Sequence, residues 1–191
     1  KLIEQPVGRK ELLRHVPQNA LFCVATRMDV ARSYATVMDL LKEIHPPAHD
    51  QLLGQISAAE KEFGFSLQDD LIDAIGDEAS LYYRFPAEIA LTFRVKSPEG
   101  IGRMLGAVLG RAAEESPPRW RRDQTGLLEL QFGEHTVHYA PIDADEIVMW
   151  PAFAVTGDTC VVALTPQTVK SVLARMDIDD APSILDSPRF A

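Results

Sequence analysis

The sequence predicts an α+β fold: a largely antiparallel sheet with helices on one face. Two observations carry this. First, an apolar strand runs three times into a helix-start signal: Phe22–Arg27 into Asp29, Ala90–Val95 into Ser97-Pro98, and Cys160–Leu164 into Thr165-Pro166. The three start signals are spaced 68 residues apart, so either the strand-cap-helix unit is a degenerate repeat or the equal spacing is chance. Second, residues 79–95 alternate with period two, as in a hairpin with one face on a core and one in water.

Each element follows from local chemistry. Residues 1–18 are polar, with a short helical stretch at Lys10–His15 ended by Pro17. Leu21–Arg27 reads as a buried strand. Asp29 caps a helix in which Val30, Tyr34, Val37, Leu41 and Ile44 recur at helical spacing. Pro46-Pro47 stops that helix, because proline lacks an N–H and its ring clashes with the preceding turn. Asp50 is expected to cap the next one, with a stripe of Leu52, Ile56, Ala59 and Phe63 and an end at Gly64. Ser66-x-x-Asp69 starts a short third helix closed by Gly76. In the hairpin, Ala79, Leu81 and Tyr83 alternate with Ser80, Tyr82 and Arg84. Past a turn at Phe85-Pro86-Ala87, Ile89, Leu91, Phe93 and Val95 alternate with Ala90, Thr92, Arg94 and Lys96.

Pro98 at the first helical position opens a helix carrying Ile101, Leu105, Val108 and Ala112. Short strands follow at Leu128–Phe132, Val137–Tyr139, Ile147–Trp150, Phe153–Thr156 and Cys160–Leu164, with turns at Gly133-Glu134 and Gly157-Asp158. The last helix carries Val169, Val172, Leu173 and Met176. The order β-α(αα)-β-β-α-β contains the βαββαβ pattern of partly ferredoxin-like folds, extended by antiparallel strands and a helix.

Composition narrows the function. With 46% apolar and 25% charged residues, the 191-residue chain is ordinary for a globular domain, which argues against disorder, collagen or coiled coil. We expect one α+β domain over 1–191, either a fragment or the mature N-terminal part of a longer protein, since Lys1 stands first with no leader. No apolar run approaches the ~20 residues of a membrane-spanning helix; Ile101–Leu109 is short and broken by Arg103. A net charge of −9 opposes nucleic acid and anionic membranes. The one basic knot, Arg119-Trp120-Arg121-Arg122, reads as an edge strand kept soluble by its arginines, with a local anion contact as the other reading. A protein partner, or a second copy, is the expected occupant of any binding surface.

The catalytic vocabulary is sparse, and no catalytic, cofactor-binding or metal residue is assigned. Cys23 and Cys160 sit in apolar strands, as buried thiols by default or as a disulfide if the protein leaves the cytoplasm. His45, His49 and Asp50 have a metal-like spacing that Pro46 and Pro47 interrupt, leaving a polar interhelix loop. His135 and His138, three apart in a strand, should point to opposite faces. Asp143, Asp145 and Glu146 read as a hairpin tip, and Asp177, Asp179 and Asp180 as an acidic helix exit. Asp69, Asp70 and Asp73 suit a helix start. Gly102, Gly106 and Gly110 form a stripe whose cost, about 0.5–1 kcal/mol per glycine, should be offset by a close backbone, internal or a partner's. A pocket ringed by Arg94, His138 and Tyr82 would favour an enzyme.

Three segments resemble a family of bacterial secreted or envelope proteins known only as a domain of unknown function. They are Val16-Pro17-Gln18-Asn19-Ala20, Phe63–Leu71 continuing through Ile75-Gly76-Asp77-Glu78-Ala79, and Ser183–Phe190. The resemblance is to a Leu-Pro-acid opening, where this chain has Val16-Pro17-Gln18, and to a Gly-x-x-Leu-x-x-Asp helix, here Gly64, Leu67 and Asp70. It continues in a Gly-Asp-Glu strand entry, here Gly76-Asp77-Glu78, and a Ser-Leu-x-x-Ser-x-x-Phe close, where this chain has Ser183-Ile184 before Ser187 and Phe190. The resemblance implies a location outside the cytoplasm, and members that begin with a signal peptide or lipid anchor and continue into a second, related half. It implies no catalytic residues. The expectation is a non-enzymatic extracytoplasmic binding or assembly module. The alternative is a metal-dependent hydrolase whose site is assembled only in three dimensions.

Overall fold

The computed structural model describes residues 11–117, 126–144 and 147–188. It has the α+β architecture that the sequence implies. Among the described residues, nine strands occur in chain order: β1 (Phe22–Arg27), β2 (Ile75–Arg84), β3 (Glu88–Val95), β4 (Leu128–Phe132), β5 (His135–Tyr139), β6 (Ile142–Ala144), β7 (Ile147–Met149), β8 (Ala152–Thr156) and β9 (Thr159–Ala163). Four α-helices accompany them: α1 (Val30–Ile44), α2 (Pro46–Phe63), α3 (Pro98–Glu115) and α4 (Pro166–Met176). A 3-10 turn at Glu11–His15, a π-helical turn at Leu67–Ile72 and a 3-10 turn at Ile184–Asp186 complete the set.

The three start signals are true N-caps. Asp29 Oδ1 accepts from Arg32 N at 2.9 Å, Ser97 Oγ from Gly100 N at 3.2 Å, and Thr165 Oγ1 from Thr168 N at 3.2 Å. Each satisfies an amide that has no partner within its helix. Gly64 ends α2 in the left-handed region at φ 72°. Several details depart from expectation. Strand β1 reads as buried in sequence, yet Phe22 and Val24 are 54 and 46% exposed, because among the described residues no helix covers that edge of the sheet. Asp50 lies inside α2, because the His45 ring accepts from Ala48 N at 3.1 Å and Pro46 takes the first helical position, where a missing N–H is harmless. Ser66 does cap the next turn, but the turn is π-helical, and Gly76 belongs to β2. A Cβ at Gly76 would stand 2.6 Å from Arg94 Cβ, so this glycine admits β3 rather than closing a helix.

Seven strands form one sheet in the order β1-β2-β3-β9-β8-β5-β4, with every neighbouring pair antiparallel; β6 and β7 make a separate ribbon. The helices occupy both faces, not one. On β9, Val161 and Ala163 join the core under α4, whereas Cys160 and Val162 join the core under α3. The reason is visible in β9 itself: Cys160–Ala163 is an unbroken apolar run, as in strands covered on both sides.

The α4 side holds Leu13, Val16, Tyr82, Ala90, Val137, Val161, Val169, Val172 and Leu173. Burying each of the three α4 side chains contributes roughly 1.5–3 kcal/mol, as an upper estimate. The first 3-10 turn closes this side over β2, where buried Glu78 accepts from Leu12 N at 3.3 Å. On the other side, α3 packs with the π-helical turn through Phe93, Val95, Ile101 and Met104. Asp70, buried beneath α3, accepts from Ser66 N at 2.8 Å and from Arg103 Nη1 at 2.8 Å. Helices α1 and α2 lean mainly on each other. Of α1 only Met38 is buried, and of α2 nothing is.

Candidate binding surface

Residues that face one another across antiparallel strands share a side of the sheet. One row therefore crosses all seven strands on the α3 side: Val24, Leu81, Leu91, Val162, Phe153, His138 and Glu129. Its middle lies near α3, with Phe153 only 1% exposed. Its β4–β5 end is polar. There Glu129 Oε1 lies 3.4 Å from His138 Nδ1, a charge-pair distance outside hydrogen-bond geometry, and the His138 ring stacks on Phe153 at 4.9 Å.

The other end is apolar and bare. Val24, Leu81 and Leu91 are 46, 39 and 38% exposed, and in the next row Phe22 and Ile89 flank Tyr83 at 54 and 37%. No charged residue interrupts this floor over β1–β3.

The β2–β3 hairpin is thus inverted in polarity. Its more apolar set, Leu81, Ile89 and Leu91, faces water, while Ser80, Tyr82, Ala90 and Thr92 are buried. The buried set tolerates this because its polar atoms are paired. The Ser80 and Thr92 hydroxyls are 2.6 Å apart, and the Tyr82 hydroxyl donates to Glu88 Oε1 at 2.7 Å. Glu88 also binds Arg84. Burial first, and Glu88 second, push the Tyr82 phenol pKa up, so it stays a neutral donor. The exposed floor was not singled out from sequence. Its signal was there, in an uncharged alternate set on each of two paired strands.

The residues weighed for chemistry do not converge. His45 is spent as a cap, and His49 Nδ1 sits 3.1 Å from Asp50 Oδ1 on α2. His135 and His138 do point to opposite faces, since His135 Nε2 meets Asp177 Oδ1 at 2.9 Å beside the end of α4. Arg94 binds Asp158 and, at 2.7 Å, Glu11, pinning the first 3-10 turn to β3. Arg94 and Tyr82 are on the α4 side and His138 is on the other, so the three ring no common pocket. Cys23 packs on the α4 side and Cys160 on the α3 side; they form no disulfide with each other, and burial pushes the Cys160 thiol up to about 12.

Among the described residues, no three His, Cys, Asp or Glu side chains gather to hold a metal ion, and no helix is long and apolar enough to cross a membrane. Asp145 and Glu146, like the basic knot Arg119-Trp120-Arg121-Arg122, lie outside the described residues. Among the described residues, the glycine stripe meets no backbone of another element. A Cβ at Gly102 or Gly110 would touch nothing within 4 Å, and one at Gly106 would make ordinary contact with Leu127 at 3.5 Å. The close approach on α3 falls instead at Gly100, where a Cβ would stand 3.2 Å from the Asp70 Cα.

A cavity of about 760 Å³ opens between the first 3-10 turn and the end of α4, lined by Arg14, His15, Arg175, Asp179, Asp180 and Asp186 among others. Burial first, then Arg94 and Arg14, lower the His15 pKa against the pull of Glu11. Arg175 is tied to the Pro182 carbonyl at 3.2 Å, and Asp186 to Ser183. Cations and carboxylates line the cavity together, and its hydroxyl, Ser183 Oγ, donates to Asp186 Oδ2 at 3.1 Å and accepts from Leu185 N at 3.3 Å, as a cap of the last 3-10 turn. The chain matches no protein-family model, no curated protein and no solved structure.

Proposed function

We propose that this chain is a non-enzymatic binding or assembly module acting outside the cytoplasm, and that the bare apolar floor on β1–β3 is its binding element. The location rests on the family resemblance. The binding role rests on one observation: the hairpin buries its hydroxyl-bearing set and turns Leu81, Ile89 and Leu91 outward. A sheet gains nothing within its own chain from that arrangement. The five named floor side chains expose roughly 450 Å², within the range of patches that mark interaction sites on monomers. Covering that area is worth on the order of 10 kcal/mol before association costs of comparable size are met.

The test is the double variant Leu81→Lys with Leu91→Glu, two cross-strand neighbours whose new charges face one another. Because both side chains already meet water, the expected change in unfolding free energy is within about 1 kcal/mol, and fluorescence of an apolar dye bound to the protein should fall severalfold. Unfolding of the variant, or unchanged dye fluorescence at concentrations where the wild type sediments as a monomer, would mean that the floor is packed within its own chain and is not a binding surface.

A further inference from the structure

Resting on that reading, we infer that the floor is covered by a second copy of this chain, through reciprocal docking of α1. Among the described residues, helix α1 carries a second bare apolar surface. Val37, Leu40 and Ile44 are 60, 53 and 72% exposed, and their spacing places them along one side of the helix. This ridge is about 10 Å long, and three strands of the floor span about 10 Å. One chain therefore presents a helix ridge and a sheet floor of matching length, both apolar and both uncovered.

A two-fold axis satisfies both at once, because in an isologous pair the ridge of each copy meets the floor of the other. The ridge adds roughly 350 Å² to the floor, bringing each partner to about the 800 Å² of a standard stable interface. Neither surface carries a charge, so the protein's net charge of −9 places no like charges within the contact.

Sedimentation velocity of the 191-residue chain at tens of micromolar should give a dimer. The Leu81→Lys with Leu91→Glu variant should weaken dimerisation by about 100-fold or more, since desolvating even a facing Lys–Glu pair against an apolar ridge costs more than their attraction returns. Placement is read by disulfide trapping in a Cys23→Ser background. A mixture of Leu40→Cys chains with Leu91→Cys chains should give a covalent dimer, and each alone should give little. Trapping of Leu91→Cys alone would mean that floors meet floors, and a concentration-independent intrachain bond in the Leu40→Cys with Leu91→Cys chain would mean that α1 folds onto its own floor; either overturns the reciprocal dimer. A monomeric wild type overturns it as well. If that monomer still binds the apolar dye through Leu81 and Leu91, the floor remains a surface for a different protein; if the variant unfolds, both proposals fall.

Discussion

Replacing Thr92 with Val should destabilise the protein by about 1–2 kcal/mol, and replacing Ser80 with Ala should cost about the same. Both side chains are 1% exposed and their hydroxyls lie 2.6 Å apart, so removing one strands the other away from water. A lone buried hydroxyl costs about 1–3 kcal/mol, and the nearest remaining acceptor, the Ser80 carbonyl 3.5 Å from Thr92 Oγ1, is too distant to offset much of it. The Ser80→Ala with Thr92→Val double variant leaves no orphan and should return to within about 1 kcal/mol of the wild type, a coupling of roughly 1–4 kcal/mol. Urea unfolding followed by circular dichroism measures this directly, and each kcal/mol corresponds to about 2–4 °C in Tm for a chain of this size. Strictly additive losses, or single variants within about 0.5 kcal/mol of the wild type, would show that these hydroxyls face water. The inside and outside of the hairpin would then be exchanged, and the apolar floor with them.

Gly102→Ala should raise stability by about 0.5–1 kcal/mol, because the new methyl meets open space and the helix gains propensity, whereas Gly76→Ala should lower it through the clash with Arg94. Opposite signs in thermal unfolding are required; stabilisation by both would refute the close approach at β2–β3. His15 supplies the pH dependence. Its folded pKa lies below the ordinary 6.5, so the unfolded chain binds the proton at higher pH than the folded chain. Its contribution is complete above the unfolded value and is lost as pH falls through the folded one. The wild type should therefore lose more Tm between neutral pH and about pH 5 than His15→Gln does, and equal losses would refute the burial of that ring.

What could be read from the sequence was what is local. Asp29, Ser97 and Thr165 are caps because a short acceptor side chain reaches an amide three residues ahead, a geometry that needs no tertiary information. Strand positions were legible for the same reason. The side of the hairpin that is covered was not, because alternation separates two sets of side chains without saying which of them a helix will overlie. That choice is made far away in sequence, by α4 and the first 3-10 turn closing over Tyr82 and Ala90. The second helical layer was hinted at by the unbroken run in β9, and the cap at His45 was hidden because an imidazole nitrogen is an uncommon acceptor there. The glycine stripe misled for a physical reason too: small residues permit close approach without compelling it.

The segment Val16–Pro17 is stitched to Ser183–Ile184 by a β-bridge and by Ile184 N donating to Val16 O at 2.9 Å, while Gln18 reaches the Asp186 carbonyl at 3.2 Å. Early and late stretches of the polypeptide thus share one clasp. Leu13 and Val16 share their core with Ile184, so their cover is complete only once the stretch around Ile184 has closed over them. Once fastened, the clasp binds the fate of both stretches together, and loosening either one exposes the apolar seat of the other.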